Sequence, residues 1–189
     1  MLDKQIREQI IALINREVVP AVGCTEPMCV SLCVARATET LGFRPEKITV
    51  LLSSNILKNA MGVGIPGTGM IGLPIAVALG ALVGKSEYQL EVLKDLTPEA
   101  LEKGKRYIEG NHIDIRLKTG ITEKLYVEVR CEAEGHVATA VITHSHTNFV
   151  FVERDGETVL DNRQPAGKEA ENDDILLDMR MVYDFSMTT

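Results

Sequence analysis

The sequence predicts an α+β protein: an antiparallel β-meander packed against several helices, with a glycine-rich loop leading into a buried helix. Three observations carry that expectation. Apolar residues recur at helical spacing before Pro20 and again up to Leu41, then alternate strictly from His112 onward. The dipeptides Glu134-Gly135 and Asp155-Gly156 separate alternating runs and suit tight hairpins, so neighbouring strands are joined by short connections. Between these regions, the uncharged stretch from Asn59 to Gly84 opens with clustered glycines and closes in an apolar run.

Leu2, Ile6, Ile10, Leu13 and Ile14 fall on one helical face, and Pro20 ends that helix. A second helix is expected from about Thr25 to Leu41. Cys24 or Thr25 caps it, Glu26 and Pro27 suit its first turn, and Gly42 stops it. Lys47 to Ser54 reads as a strand, with Ile48, Val50, Leu51 and Leu52 making a nearly continuous apolar run. The glycines from Gly62 to Gly72 make a poor helix, and the run Ile71 to Val83 falls short of the ~20 residues that cross a bilayer. It is expected as a core helix, with Pro74 in its first turn and Gly80 and Gly84 permitting close contact. Ser86 to Leu96 is irregular or partly helical. Thr97-Pro98 starts a helix that stops at Gly110. Strands follow at Ile113–Leu117, Leu125–Cys131, Val137–Thr143, Phe149–Arg154 and Glu157–Leu160, with Thr119-Gly120 opening a further turn. Residues 161–174 are polar and linker-like, and Ile175 to Phe185 begins another helix. The expected organisation is therefore an N-terminal α+β domain over 1–160, then a linker and the start of a further domain over 161–189.

Composition narrows the function. With 45% hydrophobic and 25% charged residues the chain is an ordinary globular one. A net charge of −7 with no basic stripe excludes nucleic acid as the expected partner, and the lack of tryptophan removes a stacking platform. No secretion signal opens the chain, no membrane segment is expected, and its four cysteines suit reduced thiols in the cytoplasm.

Three segments carry chemistry. Cys24 stands at a helix mouth, where unpaired backbone N–H groups favour a thiolate, the form that binds metal or attacks. Cys29 and Cys33 lie four apart inside the helix. The pattern C-x4-C-x3-C misses plant-type ferredoxin spacing by one residue, so both are expected as core, as is Cys131 among the alternating valines. G-x-G-x-x-G occurs twice in overlap, at Gly62/Gly64/Gly67 and Gly67/Gly69/Gly72. No strand feeds directly into it, no acidic residue follows on a second strand, and no Walker lysine is present. A nucleotide is therefore not expected; the glycines instead let backbone N–H groups approach a small anion such as a substrate carboxylate, or make a tight structural turn. His144 and His146, two apart, would face one side of a strand, but no third ligand stands nearby.

The octet Pro20-Ala21-Val22-Gly23-Cys24-Thr25-Glu26-Pro27, together with Ser54-Asn55-Ile56-Leu57-Lys58-Asn59 and Gly64-Ile65-Pro66-Gly67-Thr68-Gly69, resembles the L-cysteine desulfidase family. That family is related to the alpha chain of iron–sulfur L-serine dehydratases. Ser145-His146-Thr147-Asn148 is similar to a fourth family segment, and the likeness runs over nearly all of the chain. Family proteins are longer than this chain, and their further cluster cysteines lie beyond the matched part. The resemblance implies a [4Fe-4S] cluster in the full-length protein and elimination of sulfide from L-cysteine, giving pyruvate and ammonia. An iron with an open position would make the substrate sulfur a better leaving group. Cys24 would be one ligand. Ser54, Asn55, Asn59, Gly67, Thr68, Gly69, Thr147 and Asn148 would hold the amino-acid substrate, and Lys58 or His146 would move the α-proton. Elimination from L-serine is the close alternative, and a non-catalytic amino-acid-binding domain is the alternative of another class. For this chain by itself the expectation is no cluster, no turnover, and self-association into a homo-oligomer through exposed apolar surface.

Overall fold

The computed structural model describes residues 3–18, 20–110, 112–163 and 175–187. The chain divides into two compact units, Ala21–Arg163 and Met1–Pro20 with Gln164–Thr189. The linker expected at 161–174 lies, from residue 164 on, outside the described residues.

The smaller unit holds α1 (Lys4–Glu17) and a C-terminal helix, Met179–Ser186. Asp3 caps α1, its Oδ1 accepting from the Gln5 N–H at 2.8 Å, and Asp178 caps the other, accepting from the Met181 N–H at 2.7 Å.

The larger unit contains α2 (Thr25–Leu41), β1 (Lys47–Leu52), α3 (Ser54–Ala60), β2 (Gly64–Ile65), β3 (Met70–Ile71), α4 (Leu73–Leu82) and α5 (Pro98–Glu109). It continues with β4 (Ile113–Leu117), β5 (Tyr126–Ala133), β6 (His136–Thr143), β7 (Phe149–Arg154) and β8 (Glu157–Asp161), leaving α6 for the helix Met179–Ser186. The six long strands form one sheet in the order β4-β1-β5-β6-β7-β8. The run β5 to β8 is the expected meander, and its two-residue turns have positive φ at Glu134, Gly135, Asp155 and Gly156, as hairpins of this twist require. One strand departs from a simple meander. β1 inserts between β4 and β5, parallel to the first and antiparallel to the second, so Thr119-Gly120 does not join neighbours. The glycine-rich stretch, expected as a loop or tight turn leading into the buried helix, folds as the β2–β3 hairpin ahead of α4.

Alternate residues of β1 and β5, including Ile48, Val50, Leu52, Val127, Val129 and Cys131, are buried on the face that α2 covers. α4 is apolar all round and correspondingly buried at Leu73 and from Ile75 to Ala81, with Pro74 of its first turn exposed. It presses against α2 at Gly80, where a Cβ would lie 2.7 Å from the Ser31 carbonyl oxygen, and the Ser31 hydroxyl donates to the Ala76 carbonyl at 2.7 Å. Cys29, Cys33 and Cys131 are buried in this core, as their spacing suggested; burial pushes the thiols of all three up, Cys131 to about 12. No helix among the described residues is long and apolar enough to cross a membrane.

Candidate functional site

The sheet register fixes which loops meet. β1 ends at Leu52 opposite Val127, and Tyr126 pairs with Thr143 at the end of β6. The C-terminal end of β1 and the β6–β7 turn therefore share one end of the sheet. α2 runs away from that end: the Arg154 guanidinium lies beside its C-terminal Gly42, and Phe43 stacks on His136 at 5.6 Å at the hairpin end. Its first residues, at Cys24, accordingly sit where β1 and β6 finish.

Around Cys24 the contacts are specific. Cys24 is the N-cap residue of α2 in extended backbone, but its side chain does not cap the helix. The thiol donates instead to Glu26 Oε2 at 3.0 Å, the Thr25 hydroxyl donates to the same oxygen at 3.2 Å, and Asn59 Nδ2 donates to Glu26 Oε1 at 3.2 Å. Gly23, at φ +83°, abuts the tip of the β2–β3 hairpin, where a Cβ would lie 2.5 Å from Pro66 Cγ. The Val22 N–H donates to the Leu90 carbonyl at 3.2 Å and holds the other side of the loop. Three of the four family-like segments are thus in contact.

Glu26 works against the thiolate expected of a helix-mouth cysteine. Its carboxylate accepts the thiol hydrogen and repels a negative sulfur, and with partial burial this raises the Cys24 pKa; the first-turn N–H groups offset it only in part. The same hydrogen bond from Cys24 lowers the pKa of Glu26, opposed by burial and helped by Asn59 and Thr25. In this pair the thiol is the donor and the carboxylate the acceptor. Glu26 is the residue that sequence reasoning missed, and a carboxylate two positions after a helix-mouth cysteine was its only signal.

The remaining predicted residues divide by position. Ser54, Asn55, Lys58 and Asn59 are all exposed along α3 while Ile56 and Ala60 face the core, which is the outcome of helical periodicity. Asn59 reaches Glu26; Ser54 and Asn55, at the other end of this short helix, line a cleft of about 250 Å³ with Ser53, Lys118, Thr122 and Lys124. Lys118 in that cleft donates to Glu128 Oε2 at 2.7 Å, an oxygen that the Tyr126 hydroxyl also meets at 2.6 Å. Gly67 and Gly69 adopt φ of +76° and +63° at the hairpin tip. The Thr68 hydroxyl is engaged inside that tip, donating to the Ile65 carbonyl at 2.7 Å and accepting from the Met70 N–H at 2.9 Å, so it closes the turn. His146, Thr147 and Asn148 lie in the β6–β7 turn, not on a strand, and His144 there has φ +68°. The two histidines therefore do not share a strand face. Asn148 Nδ2 donates to the Thr143 carbonyl at 3.1 Å and shapes the turn. With β5 between β1 and β6, this turn stands about two strand spacings, ~10 Å, across the sheet end from β1.

The fit of a cluster can be judged from the donor set. Among the described residues no group of three or more His, Cys, Asp and Glu side chains is arranged to hold a metal ion. Cys24 is partly buried and the other three cysteines are buried. A [4Fe-4S] cluster commonly takes four thiolates, so this chain fits one ligand position and does not by itself make the site.

The fold and these contacts define an α+β unit with a guarded cysteine and a polar helix stripe gathered at one end of its sheet. In comparison with known proteins, the chain is 66% identical over 182 residues to a UPF0597 protein of Bacteroides fragilis, covering 96% of this chain and 42% of that protein. It is 62% identical over 189 residues to a UPF0597 protein of Phocaeicola vulgatus, covering 100% and 44%, and 53% identical over 189 residues to one of Parabacteroides distasonis, covering 98% and 44%. The chain therefore spans less than half the length of these relatives, and their shared name states no substrate or reaction. No protein-family model and no solved structure matches the chain.

Proposed function

We propose that this chain supplies part of the active site of a cytoplasmic carbon–sulfur lyase that releases sulfide from L-cysteine. The observation that supports this reading is the meeting of the Cys24 loop, Asn59 and the Pro66 hairpin tip, three segments distant in sequence that each resemble desulfidase segments. In this reading Cys24 provides one sulfur ligand to an iron–sulfur cluster whose other ligands lie in the remainder of a family-length protein. When bound, the cluster would supply a Lewis-acidic iron for the substrate sulfur. The chain's own residues bind and orient. The exposed amides of Asn55 and Asn59 and the Ser54 hydroxyl offer hydrogen bonds to an amino acid, as do the amides of Gly67 and Gly69 at the hairpin tip and the Thr147 hydroxyl. Lys58 neighbours Asn59, which reaches Glu26 beside Cys24, and is taken here as the group that exchanges a proton near Cys24, with His146 as the alternative. Thr68 and Asn148 act by shaping their turns.

One observation favours a second reading. Glu26 holds the Cys24 proton on sulfur, as expected of a cysteine that is placed without ligating, and the domain then only binds an amino acid. The test joins this chain to the rest of the Bacteroides fragilis relative as one polypeptide, hereafter the extended chain. Prepared without oxygen and supplied with iron and sulfide, it is assayed for sulfide and pyruvate from L-cysteine and for pyruvate from L-serine. Sulfide production lost in Lys58→Ala but kept in His146→Ala supports the lyase and its proton assignment. Pyruvate from L-serine alone moves the assignment to a dehydratase, and binding without turnover to the binding domain.

A further inference from the structure

Among the described residues of the smaller unit, most apolar side chains stay exposed. Ile10 is the buried residue of α1, and α6 has none. On α1, Ile11, Ile14 and Val18 recur at intervals of three and four and are 40%, 40% and 68% exposed. On α6, Met179, Val182 and Tyr183 follow the same spacing at 84%, 47% and 63%. Each set forms one stripe along its helix. A helix of eight residues is not stable in water on its own, so α6 draws its order from packing. Two short helices cannot enclose a core between them, and stripes this exposed on a soluble protein mark a docking surface.

We propose that these stripes dock the remainder of a family-length chain. The relatives fix that choice of occupant. More than half of each extends beyond the part this chain matches, and that extra length is covalently attached. Attachment gives it an effective concentration, on the order of millimolar, that a second copy does not reach at ordinary protein concentrations. The exposed side chains named here are apolar, which suits a permanent intramolecular face.

Hydrogen exchange tests this directly. Amide exchange is followed for the peptides 4–18 and 175–187 in this chain alone and in the extended chain. Exchange of both peptides should slow by about tenfold or more in the extended chain. Met179→Asp with Val182→Asp should return them to the fast rate there, while exchange across 21–163 is unchanged. Both positions are exposed, so the substitutions leave the fold of this chain intact, and the 21–163 peptides report it. Equal exchange in the two proteins overturns the proposal. So does slowed exchange in this chain alone that grows with concentration alongside a dimer mass by light scattering, which would give the surface to a second copy.

Discussion

Gly23→Ala tests whether the Cys24 loop is truly seated on the glycine hairpin. Two costs enter. Gly23 has φ +83°, a left-handed conformation that a residue with a Cβ adopts at about 1–2 kcal/mol. The new Cβ would also lie 2.5 Å from Pro66 Cγ and 3.0 Å from Pro66 Cδ, an overlap that something must relieve. Pro66 is exposed, so the hairpin tip can swing outward, and the steric cost falls at the low end of overpacking, about 1–2 kcal/mol. The expected loss is about 2–4 kcal/mol, a large share of the ~5–15 kcal/mol that holds such a domain. Urea unfolding of wild type, Gly23→Ala, Pro66→Ala and the double variant separates the two costs. In the Pro66→Ala background the alanine should cost only the conformational part, leaving a coupling of about 1–2 kcal/mol in the cycle. A coupling near zero would refute the contact, and with it the claim that the hairpin helps position Cys24.

Three further outcomes follow from the same structure. In the native chain one thiol, Cys24, should react with Ellman's reagent, and the other three only on unfolding; Glu26→Gln should speed the first reaction at pH 7.5, since it removes the charge that keeps the sulfur protonated. Glu26 itself has a lowered folded pKa, so its contribution to stability is present above its unfolded value, about 4.3, and is lost as pH falls through the folded one; wild type should therefore lose its urea midpoint advantage over Glu26→Gln on acidification below about pH 4. Gly80→Ala should destabilise by about 1–3 kcal/mol by thermal or urea unfolding, because its Cβ meets the Ser31 backbone on α2 rather than a flexible side chain.

Local signals in the sequence carried far. Glu134-Gly135 and Asp155-Gly156 declared their hairpins because few residues accept positive φ there, and Gly42 and Thr97-Pro98 marked their helix ends for equally local reasons. The insertion of β1 between β4 and β5 was not legible, since it depends on pairing residues more than sixty positions apart and no local pattern encodes a neighbour. α3 was missed because seven residues give less than two full periods, and the β2–β3 hairpin because two-residue strands show no alternation at all. At the site, the helix-mouth cysteine was visible in sequence. The sign of its electrostatics was not, because a sequence does not say that Glu26 turns back to meet Cys24 and Asn59 rather than solvent.

The central claim is that Cys24 ligates an iron–sulfur cluster, and spectroscopy of the extended chain tests it most directly. Reconstituted without oxygen with iron and sulfide, wild type and Cys24→Ala are compared by visible absorption and Mössbauer spectra, with amide exchange across 21–163 confirming that both are folded. The account predicts a four-iron cluster in wild type, and in folded Cys24→Ala a cluster lost or altered at one iron site. An identical cluster in the two proteins, or none in wild type, would contradict it.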